Sequence, residues 1–178
     1  MPNWAISYVR RIEAVNYRIG RAAMYLLFAI MGILLWSSIT KIANIPSLWT
    51  LEMAQFTLVA YYLLGAPYSM QLGANVRMDL LYARLPVKRQ AAWDIFTVFC
   101  LMFYLGVMLW GAVDSTAYSL QIGERAPSAW RPPLWPIKLI ITLSFALMIL
   151  QAIAHLIRDI AIIRGVDIPM PFSGEVDR

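Results

Sequence analysis

Few side chains in this chain of 178 residues have types that could do chemistry, and their spacing brings few of them together. There is one histidine, His155, and one cysteine, Cys100. One thiol cannot form an internal disulfide or a cysteine redox pair. One histidine excludes a bis-histidine haem held within the chain. The carboxylates Glu52, Asp94 and Asp114 lie in or beside apolar segments and could line an ion or substrate path. For Glu52 and Asp94 a plainer role is available, because an acid in the first turn of a helix complements its dipole. Asp114 falls near the far end of its apolar segment, where an acid is unfavourable unless the helix continues toward Gln121; we expect it to continue. His155 lies between Gln151 and Arg158 at helical spacing, which fits a hydrogen-bonding residue at a helix interface better than a proton relay. No nucleophile–base–acid set, phosphate loop or metal-spaced ligand cluster is evident. Nothing argues for an enzyme, and no cofactor is expected.

The elements that must position these groups are hydrophobic. The composition is 61% apolar and the mean hydropathy is +0.64. Four runs, 22–40, 53–76, 95–113 and 139–157, contain no Asp, Glu, Lys or Arg. A membrane-spanning helix needs about 20 mostly apolar residues, and all four runs meet that length. Their uncharged middles separate this chain from pumps and channels, which keep ionisable groups or broken helices near the bilayer midplane. The expectation is an all-α membrane protein with four transmembrane helices. An amphipathic interfacial arm at 1–21 precedes the membrane domain at 22–165, and a mobile cytoplasmic tail at 166–178 follows it. The first run is longer than a signal-peptide core and is followed by no small-x-small site, so it is expected to be retained.

Charge sets the orientation. Arg10, Arg11, Arg18, Arg21, Arg77, Arg84, Lys88, Arg89, Arg158, Arg164 and Arg178 fall on one side of the spans; Lys41, Arg125, Arg131 and Lys138 fall on the other. The positive-inside rule then places both termini in the cytoplasm. The basic residues flank spans and form no basic domain, so the net charge of +5 does not indicate nucleic acid. Trp49, Trp110, Trp130 and Trp135 cluster toward the outer boundary and Trp93 toward the inner one, as indole rings favour the headgroup level.

Three pieces lie outside the runs. In 4–21, Trp4, Ala5, Tyr8, Val9, Ile12, Val15 and Ile19 share one helical face and the four arginines share the other, a basic amphipathic helix suited to lie in the inner interface or to dock a partner. In the second loop, Arg77 and Asp79 fall in a short interfacial helix ended by Pro86. The third loop holds Pro127, Pro132, Pro133 and Pro136, which rule out a continuous helix. It should be stiff, held by Trp130 and Trp135, and either a connector or a receiver for a partner.

The spans carry stripes of small and polar residues. One contains Gln55, Tyr62, Ala66, Ser69 and Gly73; another Thr97, Tyr104 and Gly111; a third Ser144, Met148, Gln151 and His155. In lipid, such faces turn toward protein, whether of the same chain or another.

Two stretches extend the reading. Leu64-Gly65-Ala66-Pro67 leads into Asn75-Val76-Arg77-Met78-Asp79-Leu80-Leu81. Gly123-Glu124-Arg125-Ala126-Pro127-Ser128-Ala129-Trp130 runs into Pro132-Pro133-Leu134-Trp135-Pro136-Ile137-Lys138. With these the chain resembles, over roughly residues 20–165, the small membrane subunit (DctQ-type) of TRAP transporters, the tripartite ATP-independent periplasmic systems. Many relatives carry His where this chain has Asn75, which speaks against proton carrying there. The resemblance implies a bacterial inner-membrane scaffold subunit of a sodium-coupled importer of small organic acids. Its partners would be a large elevator-type membrane subunit, a periplasmic substrate-binding protein and membrane lipids. Gln55, Tyr62, Ala66, Ser69, Gly73, Thr97, Tyr104 and Gly111 would pack on the large subunit; Glu124, Arg125, Trp130 and Arg131 would lie at the docking face for the binding protein. The competing readings are a self-sufficient homo-oligomeric transporter or channel, with Glu52 and Asp114 lining its path, and a membrane enzyme or redox module.

Overall fold

The computed structural model describes residues 3–45, 47–72 and 87–163. Four helices account for most of them: α1 (Asn3–Ile42), α2 (Thr50–Gln71), α3 (Val87–Ile122) and α4 (Trp135–Ile163). Arg77 and Asp79, Gly73 and the tail 166–178 lie outside the described residues.

The arm and the first apolar run form one uninterrupted helix of 40 residues. It contains no proline, and its two glycines, Gly20 and Gly32, are isolated, so nothing breaks the hydrogen-bond ladder between arm and span. Its buried face reads Ala5, Val9, Glu13, Asn16, Gly20, Ala23 and Ile30. These recur at steps of three and four, the period of a helix face. The arginines at 10, 11, 18 and 21 lie on the exposed face.

α1 and α3 each end on a left-handed residue. Asn44 has φ 55. Asn44 N–H donates to Lys41 C=O at 3.2 Å and Ile45 N–H to Thr40 C=O at 3.0 Å, the pair of bonds that closes a helix around a left-handed residue. Gly123, with φ 63, ends α3 in the same way, and Glu124 N–H donates to Ser119 C=O at 3.1 Å. The continuation of α3 past Asp114 is therefore present, and it runs to Ile122. Asp94 does not sit in a first turn, because α3 begins at Val87.

α4 is the hub. It packs against α3, α2 and α1, while α1 also packs along α2. Ser144, Leu147, Gln151, Ala152, Ala154 and Ala161 of α4 are buried. Small side chains on that face let three neighbours approach closely. At the other extreme, α3 packs chiefly on α4, and Phe103 and Trp110 on it are 72% and 78% exposed.

Among the described residues three helices are long and apolar enough to cross a membrane: Trp4–Ile42, Phe96–Ile122 and Trp135–Arg158. α2 falls short of the apolarity expected for it. At 22 residues it is roughly 33 Å long, enough to span, but Glu52, Gln55, three tyrosines and Pro67 dilute it. It compensates by packing between α1 and α4.

Candidate functional site

Among the described residues no group of three or more His, Cys, Asp or Glu could hold a metal ion. Cys100 is exposed on α3. Glu52 occupies the first turn of α2, where its charge complements the helix dipole. His155 lies in a helix interface, with Nε2 2.8 Å from the Met70 carbonyl oxygen. The polar side chains instead form three structural clusters and leave two outward surfaces.

The first cluster joins α1, α2 and α4 at the end that carries the arginines of α1. Asn16 Nδ2 donates to Gln151 Oε1 at 2.7 Å, and Tyr8 OH donates to the Leu150 carbonyl at 3.3 Å. The Arg158 guanidinium lies 2.6 Å from a Glu13 carboxylate oxygen, and Glu13 is only 1% exposed. Residues 8, 13 and 16 of α1 all reach the stretch 150–158 of α4, so the N-terminal part of α1 crosses α4 there; a helix running antiparallel along α4 would carry Tyr8 beyond Arg158. Next to this cluster, Tyr68 of α2 stacks edge-on to Tyr17, with ring centroids 5.8 Å apart. A Cβ at Gly20 would overlap Tyr68 Cβ and Cγ. Sequence reasoning missed both the ion pair and Gly20. The available signal was an acid and an amide, Glu13 and Asn16, on the face opposite the arginines, in step with Gly20 and Ala23. The Ser144–Gln151–His155 stripe does face protein, and that protein is the same chain.

The second cluster closes the turn between α1 and α2. Ser37, Thr40, Ser47 and Thr50 bond through their hydroxyls, with Thr40 and Ser47 oxygens 3.1 Å apart and Thr50 donating to Ser37 at 3.2 Å. The third joins α3 to α4 at the same end of the molecule. Thr116 and Thr142 hydroxyls meet at 2.9 Å. Lys138 Nζ reaches Glu124 Oε2 at 2.5 Å and the Ser115 carbonyl at 3.4 Å.

That lysine organises the loop 123–134. Its hydrogen bond holds the Glu124 carboxyl below the ordinary value for glutamate. Ala126 N–H donates to Pro132 C=O at 2.9 Å and Leu134 N–H to Glu124 C=O at 3.0 Å, and Arg125 pairs with Pro133 across a small hairpin. Ser128 Oγ accepts from Arg131 N–H at 3.1 Å, where Arg131 holds φ 52. Arg125, Trp130 and Arg131 are exposed. Glu124 is engaged inside the hairpin.

Along the spans, the residues expected to meet a second subunit divide. Gln55 and Tyr62 of α2 are exposed, as are Thr97, Tyr104 and Gly111 of α3; Ala66 and Ser69 are half-buried. A Cβ at Gly111 would meet nothing within 4 Å.

The family model for the DctQ component of tripartite ATP-independent periplasmic transporters matches residues 30–162. The chain belongs to the DctQ family. It is a membrane component of a transporter and not an enzyme. Among curated proteins it is similar to the isethionate TRAP transporter permease protein DctMQ of Oleidesulfovibrio alaskensis, 28% identical over 122 residues. The match covers 68% of this chain but 19% of that relative, so the chain corresponds to about a fifth of the longer protein. No solved structure matches the chain. The matched region takes in α2, α3, the hairpin and nearly all of α4, and it excludes the N-terminal part of α1.

Proposed function

We propose that this chain is the small scaffold subunit of a sodium-coupled TRAP importer of small organic acids in the bacterial inner membrane. In this reading it braces the static part of a large elevator-type subunit and contributes to the docking face for a soluble periplasmic binding protein. The observation that carries the bracing role is the exposure of α3. A helix that packs chiefly on one neighbour, and carries Thr97, Tyr104, Gly111 and Asp114 outward, has more polar exposed surface than lipid favours. A second membrane subunit would cover it. The fused relative, named as a DctMQ permease, supports a partner held close to this unit.

All four helices cross the bilayer in this proposal, with both termini inside. The arginines of α1 and Arg158 of α4 stand at one end, which fits the positive-inside rule. α2 crosses as the most polar span, sheltered by α1 and α4. At 40 residues α1 is roughly 60 Å long, about twice the hydrocarbon thickness. Its N-terminal part therefore lies outside the core, crossing α4 at the inner interface with its arginines toward lipid headgroups.

The test is a gentle detergent pull-down of the tagged chain from native membranes. Recovery of a much larger polytopic protein in equal amount supports the scaffold reading. Recovery of this chain alone as a homo-oligomer would replace it with an independent transporter.

A further inference from the structure

We infer that the end of the α3–α4 hairpin recognises an acidic face of the soluble binding protein, with Arg125 and Arg131 as the contacting cations. The inference rests on the reading of this chain as a TRAP subunit and adds the chemistry of the docked partner.

The argument starts from charge. The loop 123–134 contains one acid, Glu124, and two bases, Arg125 and Arg131. Glu124 is bound to Lys138, which removes both from the charge available to a partner. Among the described residues neither arginine has an acidic partner, and both are exposed. The tip therefore presents two uncompensated guanidinium groups. Guanidinium binds carboxylate through paired hydrogen bonds.

The second part of the argument is rigidity. The two cross-hairpin hydrogen bonds, the buried Pro132 and the Lys138–Glu124 strut fix the backbone that carries both arginines. Arg131 is held in the left-handed region at φ 52, a conformation that costs roughly 1 kcal/mol for a residue with a side chain. Non-glycine residues held there cluster at binding sites. A prearranged tip loses little entropy on docking. At the same end of the molecule Tyr118 and Ile122, on the last turns of α3, and Trp130 of the loop are also exposed. Arg, Trp and Tyr are the side chains most enriched at the centres of interfaces. A partner with carboxylates around an apolar centre is complementary to this set.

The experiment measures association of the periplasmic binding protein, purified from the native source, with the assembled membrane complex in nanodiscs. Arg125→Glu and Arg131→Glu are each expected to slow association roughly tenfold at low salt, with the difference shrinking at high ionic strength as charge is screened. Arg131→Gly keeps the left-handed backbone and removes the charge, so it separates charge from loop structure; it should slow association less than the reversal and leave co-purification intact. Lysine in place of a contacting acid on the binding protein should restore the rate of the reversed variants. Unchanged or faster association in both reversals, with the wild-type complex binding normally, overturns the acidic-face inference and leaves the subunit reading standing. A wild-type complex that binds no periplasmic protein overturns that reading and the inference with it.

Discussion

Gly20 and the Glu13–Arg158 pair are the residues on which the packing of α1 at its arginine-bearing end depends. Gly20 allows α1 to lie against Tyr68 where any side chain would collide. Gly20→Leu should destabilise by about 1–3 kcal/mol, the usual cost of overpacking, read as a lower thermal midpoint in detergent; an unchanged midpoint would show that Tyr68 can move aside freely. Glu13→Gln leaves the Arg158 guanidinium without its buried counter-charge, which by analogy with other buried pairs costs roughly 3–5 kcal/mol. Glu13→Leu with Arg158→Met together should recover most of that loss, because no unpaired charge remains. At the opposite end the Glu124–Lys138 strut carries a pH dependence. The folded-state carboxyl of Glu124 sits below its ordinary value because Lys138 binds its ionised form. Its contribution is thus fully present above the ordinary glutamate range and is lost as pH falls through the lower folded value. Trp130 fluorescence should stay constant from neutral pH down through the ordinary glutamate range and change only below it; a transition near neutrality would assign the loop to another group.

At the scale of elements, the apolar runs made the helices legible, and the spacing of prolines made the hairpin legible as a non-helical segment. The extent of the helices was less so. An arm and a span joined without a proline, and with only the single Gly20 at their junction, look like two pieces by hydrophobicity and are one by hydrogen bonding. α2 was read as apolar because it lacks charge in its middle, although tyrosines and amides lower its apolarity as effectively. The polar stripes were visible as stripes, but a stripe does not say which protein it faces. On α4 it meets Asn16 and Met70 of the same chain, a long-range pairing that no local pattern encodes. On α3 it faces outward, and Gly111 there has open space around it. Gly111→Leu should therefore leave the chain's own unfolding within about 0.5 kcal/mol of wild type while weakening recovery of the large subunit in a pull-down. Loss of the isolated chain's stability, or full recovery of the partner, would show that this face is not the contact.

At the scale of the whole molecule, the chain is a pair of helical hairpins. α1 with α2, and α3 with α4, are each closed by hydroxyl or lysine bonds at one end, and α4 locks onto α1 at the other. This arrangement predicts a fixed topology. Single cysteines placed in a Cys100→Ala background at Arg18 and at Arg125 should react with a membrane-impermeant thiol reagent from opposite sides of sealed vesicles. Labelling of both from one side would overturn the crossing pattern. The residues that hold the hairpins together were less legible than the hairpins, because they are single side chains in unlike contexts. An exposed arginine and a half-buried one look alike in sequence.

The lock between α1 and α4 also sets an order of events in biosynthesis. Asn16 and Gln151 are 135 residues apart. At roughly 5–20 residues per second, ribosomal synthesis separates their emergence by about 7 to 27 s. Throughout that interval the first hairpin can close at its hydroxyl end and at the Tyr17–Tyr68 contact, but the Glu13 carboxylate and the Asn16 amide lack the α4 partners they meet in the finished fold. The chain can complete this end of the fold only after its last helix has been made, so a ribosome stalled before Arg158 would leave Glu13 without its counter-charge.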